Sequence, residues 1–305
     1  MSTLATHSAP TAAPAPSTLR DLVSLTKPRI TFMVVLTTAI GLWLAPGTYS
    51  AGMWLAVLFS TAMLVGAANT LNCWLERDSD RFMARTKNRP LPAGRLPAKY
   101  ALALGLGLGV LAVPTLTLVA NPLTGLLAAI ALVSYVWIYT PLKRRSPLAL
   151  AVGAIPGALP PLMGWTAATG ELGAPGIVLF GILFLWQMPH FIAISLFRQN
   201  EYTKAGIKVL PAVRGRRVAL FQAIAYAGAL VPVSLLLVPL GIAGNLYLAV
   251  AGVIGVLFLV GTLAGLRETG LREGAGNRWA RRLFLASLIY LPLLFAALAV
   301  DVAAG

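Results

Sequence analysis

Residues 52–71, GMWLAVLFSTAMLVGAANTL, form an unbroken stretch without Asp, Glu, Lys or Arg. A helix of about 20 apolar residues crosses the hydrocarbon core of a bilayer, and similar runs recur along most of the chain. Of the 305 residues, 58% are hydrophobic and 11% are charged, which excludes a water-soluble domain. Because the runs are continuous rather than alternating, they predict an all-α integral membrane protein and not a β-barrel.

The apolar pattern predicts nine transmembrane helices in one domain that covers residues 21–305. Residues 1–20 are rich in Ala, Pro, Ser and Thr and lack a long apolar core, so we expect a disordered N-terminal tail there. The predicted spans run roughly over 28–45, 52–71, 99–119, 123–140, 147–168, 175–197, 217–240, 245–265 and 282–301.

The basic residues indicate the orientation of the chain. With nine spans, all 24 Lys and Arg residues fall on one side of the membrane, and the other side carries only Glu171 and Asp301 as charges. The positive-inside rule then makes the N-terminus cytoplasmic and the C-terminus outside, in the cell (inner) membrane. The net charge of +15 therefore reflects topology, and we expect a lipid bilayer and not nucleic acid as the partner.

An acidic cluster follows the second predicted span. The chain has nine acidic residues, and Glu76, Asp78 and Asp80 fall within five positions. Asn72, Glu76 and Asp80 have the spacing i, i+4, i+8, which places them on one face if the helix continues, whereas Asp78 points elsewhere. Such oxygen ligands suit Mg²⁺ at the cytoplasmic mouth of a span. The alternative is a solvated helix end with surface ion pairs to the neighbouring arginines.

Basic and polar side chains elsewhere complete the candidate site. Arginines after the acidic cluster suit a diphosphate, because a guanidinium forms bidentate hydrogen bonds with phosphate oxygens. Gln187 and His190 lie inside apolar sequence, either as functional groups or as a helix–helix hydrogen bond near a proline. Glu201 is the only acid of its loop, where it ligates a second metal or pairs with Lys204. Lys143 closes a span, where a topology signal is the favoured explanation and a role at a substrate carboxylate or diphosphate is compatible with it.

The sequence resembles the UbiA superfamily of intramembrane prenyltransferases, and within it the branch that uses haem as acceptor. The resemblance covers about residues 22 to 300. The matching segments are 27–29, 72–80, 85–91, 139–144, 186–191, 201–206 and 210–211. It implies a UbiA-like bundle of nine helices around a central cavity whose cytoplasmic mouth is capped by acidic loops. The family most often has Asp where this chain has Glu76, and its second acidic motif is reduced here to Glu201.

The resemblance also implies a reaction. The farnesyl group of farnesyl diphosphate would pass to a vinyl group of protohaem IX (haem B), with addition of water. Asn72, Glu76 and Asp80 would hold Mg²⁺ and the diphosphate, with Glu201 as a further metal ligand and Asp78 assisting. Cations for the diphosphate or the haem propionates would be Arg85, Arg89, Lys143, Arg144, Arg198 and Lys204.

His190 and Gln187 would face the porphyrin in that reaction. Haem A synthase or a terminal oxidase assembly would be the protein partner. Two other functions stay open: a UbiA-type enzyme acting on a quinone precursor, and a cation-coupled transporter with Asn72, Glu76 and Asp80 as its ion site. A transporter would more often place such groups near the membrane midplane.

Overall fold

The computed structural model describes residues 18–268 and 275–304, and the described chain is helical without strands. Most of the predicted tail therefore lies outside the described residues, but helix α1 begins at Thr18, so its last three positions are helical. The helices are α1 Thr18–Leu25, α2 Pro28–Leu44, α3 Ala51–Glu76, α4 Ala98–Val119, α5 Pro122–Leu142, α6 Ala149–Thr169, α7 Ala174–Phe197, α8 Gln199–Lys204, α9 Leu210–Arg214, α10 Arg216–Leu235, α11 Asn245–Leu263, α12 Gly265–Glu268 and α13 Ala275–Ala304.

Eight of the described helices are long and apolar enough to cross a membrane by themselves. The remaining predicted span, 28–45, corresponds to α2, which has only 17 residues. It reaches spanning length together with α1, and the two meet at a bend of 47°. The all-α membrane class is thus confirmed, while the count of nine and the orientation stay predictions.

The bend between α1 and α2 is centred on Lys27. This residue has φ 50° and ψ 66°, the left-handed conformation that a side chain with a Cβ disfavours. Pro28 follows it and starts α2, where a missing backbone N–H costs nothing. The strained lysine is therefore held in place by its surroundings, which are described below.

Helix α6 packs closely against α2 through small residues. A Cβ added to Gly164 would lie 2.0 Å from the carbonyl oxygen of Thr38, and one added to Gly41 would meet the backbone of Pro161. Small residues let helix backbones approach in lipid, where the hydrophobic effect does not drive helix association. Large apolar side chains such as Leu118 and Val110 are exposed on the outer surface, as expected of side chains that face lipid.

A small apolar cluster lies where α1, α3, α4 and the connector 77–97 meet. Its buried members are Leu25, Cys73, Leu91, Leu96 and Ala101. The cluster fixes the connector against the end of α3. As a result, polar side chains from three separate parts of the sequence reach the same place.

Candidate active site

Helix α3 ends four residues before Asp80, the last residue of the acidic cluster. The helix stops at Glu76, and Asp80 begins a separate 3₁₀ turn, Asp80–Phe82. Asn72 Nδ2 donates to Glu76 Oε2 at 3.0 Å, as the i, i+4 spacing predicts. The prediction that Asp80 shares this helical face is wrong, because the chain leaves the helix at Arg77. Asp80 nevertheless points inward, with 1% of its side chain exposed.

Asp80 is held by the connector that follows it. Arg89 Nη1 donates to Asp80 Oδ2 at 2.7 Å, and the Thr86 hydroxyl donates to the backbone oxygen of Asp80 at 2.8 Å. The surface ion pair with the adjacent Arg81 is therefore not the contact of this carboxylate. Its second oxygen, Oδ1, is buried and has no hydrogen-bond partner. An unsatisfied buried carboxylate oxygen is costly and indicates a place for a ligand.

Glu76 is paired with a lysine from a distant helix end. Lys143 Nζ lies 2.5 Å from Glu76 Oε1, and about 15% of either side chain is exposed. The same ammonium group lies 4.7 Å from the centre of the Tyr139 ring. Burial alone would lower the pKa of Lys143, but Tyr139 and Glu76 outweigh it and raise the pKa above its ordinary value. Lys143 is therefore a permanent positive charge at the site.

Asn72 contacts side chains from the end of α5 and from the bend before α2, in addition to Glu76. Its amide nitrogen also donates to Thr140 Oγ1 at 3.1 Å, and its Oδ1 accepts from Lys27 Nζ at 3.4 Å. The Thr140 hydroxyl in turn donates to the backbone oxygen of Tyr135 at 2.9 Å, within the π-helical turn of α5. We call Lys27, Asn72, Glu76, Asp80, Arg89, Thr140 and Lys143 the polar cluster. Neither Lys27 nor Thr140 was predicted to belong to the site, although both lie in segments that match the family.

The other predicted acidic and basic site residues lie outside the polar cluster. Asp78, Arg144 and Lys204 line an open cleft of about 390 Å³. Arg198 Nη1 lies 3.1 Å from Glu201 Oε2, so Arg198 and not Lys204 pairs with this acid. Arg85 is exposed.

Arg85 lies near Tyr202 on α8. Burial raises the pKa of Tyr202, and the positive charge of Arg85 opposes that rise. Arg85 therefore lies near α8, although it is not among the described residues that line the cleft.

Gln187 and His190 belong to a different part of the bundle. Gln187 Nε2 donates to the backbone oxygens of Leu183 at 3.0 Å and Ala154 at 3.4 Å. His190 Nδ1 lies 2.7 Å from Ser287 Oγ on α13. Both are thus in helix–helix contacts, which was one of the two readings of these residues. Neither donates a hydrogen bond to the described polar cluster or accepts one from it.

The donor chemistry of the polar cluster fits a hard cation such as Mg²⁺. Asn72, Glu76 and Asp80 offer amide and carboxylate oxygens, and Asp80 Oδ1 is unpartnered. Glu76 and Asn72 already share their oxygens with lysine ammonium groups. Among the described residues, no three His, Cys, Asp or Glu side chains are grouped to hold a metal. An ion would therefore bind chiefly with the help of the substrate's own oxygens, as Mg²⁺ often does.

The polar cluster is buried at one end of an apolar helix bundle and contains three cationic side chains. This arrangement suits a membrane protein that binds an anionic headgroup. The chain belongs to the UbiA prenyltransferase family, whose model matches residues 34–288.

Curated relatives match nearly the whole chain. Protoheme IX farnesyltransferase from Anaeromyxobacter sp. (strain Fw109-5) is 54% identical over 92% of both chains. The protein of the same name from Myxococcus xanthus (strain DK1622) is 52% identical over 94% of this chain and 96% of its own length.

Solved structures agree with the fold. Digeranylgeranylglyceryl phosphate synthase superposes with a TM-score of 0.80 at 20% identity, over 93% of this chain and 98% of that one. A UbiA homologue from Archaeoglobus fulgidus bound to GPP and Mg²⁺ gives 0.61 at 19% identity, over 92% and 99%. At such identities the likeness shows the fold alone.

Proposed function

We propose that this protein transfers the farnesyl group of farnesyl diphosphate to a vinyl group of protohaem IX, with water, giving haem O and diphosphate. The observation that carries the proposal is the identity of 54% and 52% to relatives named protoheme IX farnesyltransferase over more than nine tenths of the chain. The polar cluster supports it independently, because its charges match a diphosphate that must leave.

The cluster supplies positive charge from three places. Lys27 comes from the bend before α2, Arg89 from the connector after α3, and Lys143 from the end of α5. Each contacts an acid or amide of α3 or of the turn after it. These cations would bind the oxygens of the diphosphate, and Arg89 can form bidentate hydrogen bonds with them. Charge that develops on a leaving diphosphate is stabilised best by donors already in place.

Asn72, Glu76 and Asp80 are the residues that would hold Mg²⁺. When bound, the ion supplies Lewis-acid stabilisation of the departing diphosphate. The UbiA homologue from Archaeoglobus fulgidus has been solved with GPP and Mg²⁺, which is consistent with this assignment. Glu201 is the weaker metal candidate because its carboxylate is bonded to Arg198. We assign the remaining predicted residues to the entrance of the site, where the substrate diphosphate or the haem propionates would enter: Asp78, Arg85, Arg144, Arg198 and Lys204.

The reaction balances without a nucleophilic side chain. The allylic C–O bond breaks, and its electron pair leaves with the diphosphate. The haem vinyl group attacks the farnesyl carbon, a C–C bond forms, and positive charge is left on the vinyl carbon next to the ring. Water adds there and releases one proton. The apolar bundle keeps other water away from the cationic carbon.

The proposal also places the site in the cell. If α1 and α2 form one bent span, the chain has nine spans. The N-terminus and the polar cluster then lie on the cytoplasmic side of the inner membrane. Farnesyl diphosphate and haem B would then enter from the cytoplasmic leaflet. The association with haem A synthase or a terminal oxidase assembly stays a prediction from the resemblance.

Purified protein incubated with farnesyl diphosphate, haem B and Mg²⁺ tests the function directly. We expect haem O by mass spectrometry, an equal amount of diphosphate, and oxygen from labelled water in the product. A chelator is expected to stop both products. Prenylation of a phenolic quinone precursor in place of haem would show the other UbiA-type activity. Ion-driven flux into vesicles without any prenylated product would show a transporter.

A further inference from the structure

The side-chain amide of Asn72 has three polar partners within the polar cluster. Its Nδ2 donates to Glu76 Oε2 at 3.0 Å and to Thr140 Oγ1 at 3.1 Å, while its Oδ1 accepts from Lys27 Nζ at 3.4 Å. Reversing the amide would bring its oxygen against the carboxylate and its NH₂ group against the ammonium group. The hydrogen-bond network therefore assigns the orientation, and the oxygen faces the cations of the cluster.

The hydroxyl group of Thr140 can act only as an acceptor toward Asn72. A hydroxyl has one proton, and that of Thr140 is donated to the backbone oxygen of Tyr135 at 2.9 Å. The contact with Asn72 Nδ2 is therefore made through a lone pair of Oγ1. Both side chains are buried, with 3% of Asn72 and 5% of Thr140 exposed. Thr140 thus offers the amide an acceptor whose direction is fixed.

The position of Thr140 depends on the π-helical turn that precedes it, residues 134–139 of α5. The backbone N–H of Thr140 also donates to the oxygen of Tyr135, which lies five residues earlier and not four. One additional residue in a turn rotates the rest of a helix by about 100°. Such turns occur frequently at functional sites. This turn directs a threonine hydroxyl, with its proton already donated, at the amide on α3.

The three partners of Asn72 differ in what substrate binding would do to them. Lys27 is one of the cations assigned to the diphosphate, and Glu76 is assigned to the ion. Both contacts with Asn72 would therefore weaken when the diphosphate and the ion bind. Thr140 is assigned to neither, so its hydroxyl is the partner that would still prevent the amide from turning over.

We propose that Thr140 is a positioning residue, which holds the amide of Asn72 so that Oδ1 and not the NH₂ group faces the Mg²⁺–diphosphate complex. The proposal rests on the proposed function for the diphosphate and the ion. An amide without such a partner can rotate by half a turn and present a donor to a cation. Removing a group that orients a metal ligand usually costs about 10- to 100-fold in metal affinity.

The test measures the dissociation constant of a non-hydrolysable farnesyl diphosphate analogue on the purified full-length protein without haem, once with Mg²⁺ and once with a chelator. Thr140→Val keeps the shape of the side chain and removes the hydroxyl. We expect it to weaken binding about tenfold with Mg²⁺ and less than about twofold with the chelator. Thr140→Ser restores the hydroxyl and should bind as wild type in both conditions.

Thr262→Val is the matched control for Thr140→Val. Thr262 is also buried, lies on α11, and donates its hydroxyl proton to the backbone oxygen of Phe258 at 2.7 Å. It makes no hydrogen bond with the described polar cluster. The change therefore removes a buried helical hydroxyl without touching Asn72, and both dissociation constants should stay near wild type.

Asn72→Asp separates positioning from packing. A carboxylate presents an oxygen in either orientation, so Thr140→Val should cause no further loss of Mg²⁺-dependent affinity in this background. A hydroxyl that only filled space would cost the same in both backgrounds. An equal loss in both backgrounds would therefore overturn the proposal.

The comparison with the chelator decides the remaining outcomes. Unchanged binding by Thr140→Val with Mg²⁺, or an equal loss with and without Mg²⁺, would also overturn the proposal. Should Thr140→Val lose all binding, Thr140→Ala is measured in the same way, and loss of binding there as well would show a role in folding and overturn the assignment. A wild type that shows the expected pattern but forms no haem O would contradict the proposed function and leave the role of Thr140 standing.

Discussion

Replacing Asp80 by asparagine removes one charge from the polar cluster and changes almost no volume. The carboxylate is 1% exposed and pairs with Arg89, whose side chain is 25% exposed. Loss of a hydrogen bond between charged groups costs about 1.5–3 kcal/mol, and the remaining amide oxygen can still accept from Arg89. The free energy of unfolding should therefore fall by about 1.5 kcal/mol, at the low end of this range.

Turnover should fall much further than stability. Asp80 Oδ1 is the buried, unpartnered oxygen that is available for the Mg²⁺–diphosphate complex. Loss of a charged ligand there removes several kcal/mol of transition-state stabilisation, and about 3 kcal/mol corresponds to a kcat/KM roughly 100-fold lower. The assay is the initial rate of haem O formation in Asp80→Asn, with thermal unfolding measured on the same preparation.

Asp301→Asn is the matched control for Asp80→Asn. Asp301 accepts from the backbone N–H groups of Gly244 and Leu246, the latter at 3.2 Å, and makes no hydrogen bond or ion pair with the described polar cluster. Its kcat/KM should stay within about twofold of wild type. A rate for Asp80→Asn within tenfold of wild type, or an equal loss in both variants, would refute the reasoning.

Three further predictions concern residues that support the site. Arg95 binds both carboxylate oxygens of Asp21, at 3.2 and 3.1 Å, and ties α1 to the connector 77–97; Asp21→Asn should raise the KM for farnesyl diphosphate roughly threefold with kcat little changed, and exchanging the two charges should restore it. Lys27→Gly relieves the positive φ and should raise stability by about 1 kcal/mol, yet should lower turnover because the ammonium group is lost. Gly164→Ala should destabilise the bundle by about 2 kcal/mol, whereas Gly107→Ala, with open space around it, should stabilise it by roughly 0.5 kcal/mol in denaturation assays.

The sequence could predict the membrane class because apolar length has one dominant physical consequence in lipid. It could also predict the contact between Asn72 and Glu76, since residues four apart meet on a helix. The end of α3 was harder to predict. Residues 77–89 contain no Gly or Pro, so no strong helix terminator separates Glu76 from Asp80.

Arg89 and Lys143 were predicted as cations of the site, but Lys27 was not, and none of the contacts that these cations make was predicted. Lys27 contacts Asn72 across 45 positions, and Glu76 meets Lys143 between α3 and the end of α5. Contacts at such separations depend on how helices pack, which a single sequence does not determine. The contact between His190 Nδ1 and Ser287 Oγ was equally difficult to predict, because Ser287 lies on another helix.

A structure of the protein with a non-hydrolysable farnesyl diphosphate analogue and Mg²⁺ tests the location of the chemistry most directly. We expect the diphosphate to contact Asp80, Arg89 and Lys143, and the ion to bind oxygens of Asn72, Glu76 or Asp80. A headgroup bound elsewhere in the bundle, with the Asp80–Arg89 pair unchanged, would contradict it.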